Sequence, residues 1–173
     1  MIQDRRHHDR DAPPAALASA WQNRCPDLFT LGDSWERLSG GRTNAVWRVS
    51  GGSAARVVKL YRAGAETPLF ANDPEAEATS LGALSGSGLA PQPISTLPTQ
   101  VGQSIAYGHV PGRSWRTGDP LAAVAEALAR LHAFPVPGSL PIAPIGPDRL
   151  TEVTNLLRGS PDQIAAVPAR SLH

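Results

Sequence analysis

Lys59 is the only lysine among sixteen basic residues, the other fifteen being arginines. It sits within Val57-Val58-Lys59-Leu60-Tyr61, an apolar run of strand character. A compact ammonium on a flexible stem can neutralise phosphate oxygens in a slot that the planar guanidinium fork does not fill. A solvated strand lysine is the competing reading, and the residue alone does not choose between them. Downstream, Asn72-Asp73-Pro74-Glu75-Ala76-Glu77-Ala78 offers two carboxylates. On a helix beginning there, Glu77 shares a face with Leu81 and Leu84, while Glu75 lies roughly 200° around the axis. Glu77 by itself could be a solvated acid, but an inward-facing acid needs a partner, and Lys59 is the candidate. Upstream, Gly40, Gly41, Thr43 and Asn44 form a turn of small residues. Such a turn lets backbone N–H groups approach phosphate, although an ordinary hairpin turn has the same composition.

The elements that would hold these groups follow from the punctuation. Residues 1–14 are polar and basic and end in Pro13-Pro14, which reads as a tail. A short helix over 15–25 carries Leu17 and Trp21 at i and i+4. From Trp35 the pattern becomes short antiparallel strands. One ends at Leu38, a second spans Ala45–Val49, and a turn at Ser50-Gly51-Gly52-Ser53 leads to a third over Ala55–Tyr61. Asp73 followed by Pro74 starts a helix by capping and by proline at the first position. Gly86, Gly88 and Pro91 close it, and strands near Gln92–Leu97 and Gln103–His109 bring the total to five. Pro111-Gly112 breaks the pattern. Asp119-Pro120 predicts a second capped helix, in which Leu121, Val124, Leu128 and Leu131 form an apolar stripe ending near His132. Short helices are expected around 148–157 and 162–167.

Composition limits the function classes. With 41% hydrophobic and 18% charged residues, the chain lies in the globular range. A net charge of +1 and scattered arginines argue against nucleic acid or an anionic membrane as partner. No apolar run approaches the roughly 20 residues that span a bilayer. The charged start has no apolar core of a signal peptide behind it. Cys25, the one cysteine, excludes an internal disulfide framework. Together these lead to the expectation of a soluble, cytoplasmic protein. His132, at a helix end, reads as a cap or packing residue and stays outside any mechanism.

The order of these parts resembles the aminoglycoside phosphotransferase and choline kinase family. Leu38-Ser39-Gly40-Gly41-Arg42-Thr43-Asn44-Ala45-Val46-Trp47-Arg48-Val49 is similar to its nucleotide-binding loop, and Val57–Tyr61 to its lysine strand. Asn72–Ala78, with Gly88-Leu89-Ala90-Pro91 after it, resembles its glutamate helix and exit. The likeness covers about 35–135 and lies in the order and spacing of the motifs, each weak alone. It implies an α+β, protein-kinase-like fold. Residues 31–112 would form an amino-terminal lobe of five antiparallel strands and one helix, 1–30 a tail and short helix, and 113–173 the start of a helical lobe.

The resemblance further implies ATP and Mg2+ as cofactors, with transfer of the γ-phosphoryl group to a hydroxyl of a small molecule such as choline, thiamine or an aminoglycoside. Lys59 would meet the phosphates, Glu77 would hold Lys59, and Tyr107-Gly108-His109-Val110-Pro111-Gly112 would be the hinge. There the Gly108 carbonyl and the Val110 N–H would read adenine. A plain strand exit would look the same. The closing Pro168-Ala169-Arg170-Ser171-Leu172-His173 resembles the lead-in to the family's catalytic loop, with His173 as its histidine. The catalytic aspartate and the metal ligands would then lie beyond it, and these residues alone would transfer little or no phosphate. A non-catalytic nucleotide-binding module, a pseudokinase, is the alternative.

Overall fold

A computed structural model of the protein describes residues 12–39, 43–52, 54–64, 72–113, 115–135, 138 and 151. The chain divides into two compact units, one of Met1–Ala65 and Asp73–Leu140, the other of Glu66–Asn72 and Pro141–His173. The second contributes only Asn72 and Thr151 to the described residues, and the expected helices around 148–157 and 162–167 otherwise fall outside them.

The first unit holds helix α1 (Ala15–Arg24), strands β1 (Ser34–Arg37), β2 (Ala45–Ser50) and β3 (Arg56–Leu60), helix α2 (Pro74–Ala83), strands β4 (Pro93–Thr99) and β5 (Gly102–Gly108), and helix α3 (Leu121–His132). The strands form one antiparallel sheet in the order β1-β2-β3-β5-β4. Five strands and an α+β architecture match the expectation, with boundaries within a residue or two of those read from the punctuation.

Directly opposed residues of an antiparallel pair share a face, so the register divides the sheet's side chains. Trp47 opposes Val58, which opposes Ala106, and Ala45 opposes Leu60. These residues form the apolar core together with Leu17, Trp21, Phe29 and Val49. The indole N–H of Trp21 donates to Ser104 Oγ at 3.2 Å, and Ser104 Oγ donates in turn to the Leu97 carbonyl at 2.9 Å. α1 is therefore fixed to β4 and β5 by packing and by a satisfied buried polar chain.

A buried ion pair lies at the edge of this core. Arg56 Nη2 meets Asp33 Oδ2 at 3.1 Å, with side chains 5% and 1% exposed, and the guanidinium lies over the Phe29 ring at 5.1 Å. Asp33 also accepts from the Thr30 N–H and hydroxyl, both at 3.0 Å. Gly51, in the β2–β3 turn, has φ +154°, and a Cβ there would stand 2.4 Å from Asp33 Oδ1. The turn needs glycine because the carboxylate fills the space a side chain would take.

α2 begins as its sequence predicts. Asp73 Oδ1 accepts from Glu75 N at 2.9 Å and from Ala76 N at 3.1 Å, and Pro74 takes the first helical position. α3 corrects the expectation at its own start. Pro120, not Asp119, precedes the first helical residue, and no side chain caps it. Asp119 is engaged elsewhere, by Arg113 Nη2 at 2.7 Å and by the Arg116 N–H at 2.8 Å. The guanidinium also holds the Asp119 carboxyl below its ordinary range. The predicted stripe on α3 is present, but Leu121, Val124, Leu128 and Leu131 are all exposed.

Candidate functional site

The sheet face opposite the core carries the chemistry. Val46 opposes Lys59, which opposes Ile105, while Arg48 opposes Val57 and Val57 opposes Tyr107. This register aligns Val46, Arg48, Val57, Lys59, Ile105 and Tyr107 on the face toward α2. Val57 and Ile105 are buried, so a largely apolar floor surrounds the single ammonium.

Lys59 Nζ pairs with Glu77 Oε2 from the first turn of α2. The lysine side chain is 17% exposed and the glutamate 31%, which leaves the pair open to a ligand from one side while half sheltered. Glu75 is exposed, as its angular offset from Glu77 requires. Tyr61, the next residue on the Lys59 side of β3, lies with its ring 4.8 Å from Nζ. Its N–H donates to the Gln103 carbonyl at 2.9 Å, which continues the ladder past the end of the strand. Burial first, and then the Glu77 carboxylate, push the Tyr61 phenol well above its ordinary 10.0. Burial and the same carboxylate raise Tyr107.

These shifts predict an alkaline limit. A group whose folded-state pKa is raised supports the fold fully below its unfolded value and loses that support as pH rises. Urea midpoints should therefore hold up to about pH 10, the ordinary tyrosine value, and fall above it. Tyrosinate absorbance should appear together with unfolding rather than before it. Tyr61→Phe should flatten the fall in part, and adding Tyr107→Phe should flatten it further.

The other sequence-predicted nucleotide-site residues that are described, Thr43, Asn44, Gly108 and Val110, lie toward the two ends of β3. The β1–β2 turn enters β2 at Ala45, opposite Leu60, so it lies at the Lys59 end. Gly40 and Gly41 fall outside the described residues. Thr43 is half-buried at the turn's exit. Asn44 is buried, and its side-chain Oδ1 accepts from the Arg62 N–H at 3.2 Å. That side-chain oxygen ties the exit of the turn to the end of β3. Gly108 opposes Arg56, three residues from Lys59, a separation of roughly 10 Å along a strand. The Gly108 N–H donates to the Gln92 carbonyl at 2.8 Å, while Val110 beyond it is exposed and its N–H has no bond among the described residues. His132 ends α3, and His173 falls outside the described residues. Among the described residues, no three His, Cys, Asp or Glu side chains gather to hold a metal ion, and no helix is long and apolar enough to cross a membrane.

Sequence reasoning missed Tyr61 and the apolar floor of Val46, Val57 and Ile105. The signal was available for both, since counting by twos from Lys59 along β3 gives Val57 and Tyr61.

The sequence matches the model of the phosphotransferase enzyme family (APH) over residues 34–167, and the chain belongs to that family. The sheet and its helix are those of a kinase-like amino-terminal lobe, and the match runs beyond the 35–135 over which the motifs show likeness. No curated protein and no solved structure matches the chain significantly. Phosphoryl transfer is the general activity of the family, which in general uses ATP and Mg2+.

Proposed function

We propose that this chain carries the nucleotide-binding lobe of an ATP-dependent phosphotransferase that acts on a hydroxyl of a small molecule. The observation that carries the reading is the Lys59–Glu77 ion pair, set on an apolar sheet face at the end next to a small-residue turn. Lys59 neutralises phosphate oxygens, and Glu77 keeps the ammonium from folding back onto the strand. The backbone of Gly40–Asn44 covers the phosphates. The base lies over Val57 toward the Gly108 carbonyl and the Val110 N–H, an apolar path that suits a flat heterocycle. The roughly 10 Å between Gly108 and Lys59 along β3 suits a ligand with a planar base at one end and charged groups at the other.

Magnesium, when bound, would offset the negative charge of the phosphates in such a reaction. The described residues supply no group of ligands for it, so no step is assigned to them. The acceptor, a small hydroxyl compound such as choline, thiamine or an aminoglycoside, would be met by a second, helical lobe beginning after Gly112.

Titration of the 173-residue chain with a fluorescent ATP analogue tests the reading. Saturable binding, displaced by ATP and weakened in Glu77→Gln, is the expected result. A wild-type chain that binds no nucleotide would overturn it.

A further inference from the structure

Among the described residues, the Lys59 ammonium meets both an acid and an aromatic ring. Tyr61 lies two residues further along the same chain and on the same side of it, with its ring centroid 4.8 Å from Nζ. That is within the roughly 6 Å over which a ring face attracts a cation. The ring is buried, and its phenol end lies near the Glu77 carboxylate. The carboxylate comes from a helix and the ring from the strand itself, so the two approach the ammonium from different elements.

From this geometry we infer that Tyr61 is a positioning residue, whose ring face confines the Lys59 ammonium and keeps it extended between Glu77 and the open side of the sheet. A lysine stem has four rotatable bonds, and one salt bridge alone leaves much of that freedom. The ring removes part of it before any ligand arrives, which reduces the ordering cost of binding an anion. The ring and the carboxylate share the ammonium. A phosphate approaching from the open side meets an ammonium already held by both, and the aromatic face carries no net charge to repel it. The inference rests on the nucleotide-binding reading for its purpose, but not for its geometry.

Because Lys59 is the only lysine, acylation of its side-chain amine can be followed at one site by peptide mass spectrometry. The test compares wild type, Tyr61→Phe and phenylalanine analogues of increasing fluorination at position 61, all at one pH and without nucleotide. Fluorination withdraws π density while nearly preserving shape, so a packing role is insensitive to it. Tyr61→Phe should stay close to wild type. Acylation should then quicken stepwise with fluorination, by about 2- to 30-fold overall, the range expected for losing a cation–π contact. Affinity for the fluorescent ATP analogue should fall in the same order.

Acylation rates indifferent to fluorination would overturn the inference. So would a change in Tyr61→Leu alone, since that variant alters packing. If wild-type chain bound no nucleotide, the proposed function would fail, and the acylation series would still decide the role of Tyr61.

Discussion

Lys59→Arg should weaken ATP-analogue binding almost as much as Lys59→Ala, by about 10- to 100-fold in each case. A charge-assisted hydrogen bond contributes ~1.5–3 kcal/mol, and ~1.4 kcal/mol corresponds to each tenfold. Conserving charge should not rescue the site, because the slot is shaped for a compact ion. Nζ sits between a carboxylate from α2 and the Tyr61 ring. A guanidinium is planar and wider, and in that gap it would displace one neighbour or the other. Binding isotherms of the three proteins, with circular dichroism to verify folding, measure the effect. An arginine variant that binds like wild type would mean that charge alone is read there, and the ammonium-specific account would be wrong.

Trp21→Ala should cost the fold about 3–5 kcal/mol, the range for truncating a large buried aromatic. Typical domains have only about 5–15 kcal/mol in total, so the variant should unfold at much lower urea. Two losses combine in this substitution. The indole is fully buried against Phe29, with ring centroids 5.2 Å apart, and its N–H satisfies Ser104. Trp21→Phe should recover much of the packing and leave the smaller cost of an altered polar chain. Urea midpoints of the two variants separate the contributions. Equal stability in Trp21→Ala and wild type would remove α1 from the list of elements that hold the sheet.

Much of the architecture was legible because its signals are local. Asp73 and Pro74 together dictate where α2 begins, and Leu17 and Trp21 show which face of α1 turns inward. The choice of Glu77 over Glu75 needed only the angle between successive helical residues. Asp119 shows where local rules fail. It has the same sequence signature as Asp73, yet Arg113 and the Arg116 backbone compete for its carboxylate, and the competitor won. Asn44 was read as part of a phosphate-covering turn, while its side chain binds backbone eighteen residues later. A count of two puts Tyr61 on the face of Lys59, but an aromatic at a strand end is ordinary until its distance from the cation is known. The pairing of Asp33 with Arg56 was not legible at all, since nothing in either neighbourhood announces a partner twenty-three residues away.

That buried pair bears on how the chain avoids folding wrongly. Arg56 points to the Trp21 side of the sheet because it opposes Val49 across β2. A slip of one residue between β2 and β3 would swing it to the opposite side and strand Asp33 in the interior with no cation. An isolated interior carboxylate is far more costly than a solvated one, whereas a matched interior pair gains little over two apolar side chains. The contact therefore acts chiefly by penalising misregistered hairpins. The alignment it enforces is the one that brings Val46 opposite Lys59 and turns the lysine toward Glu77.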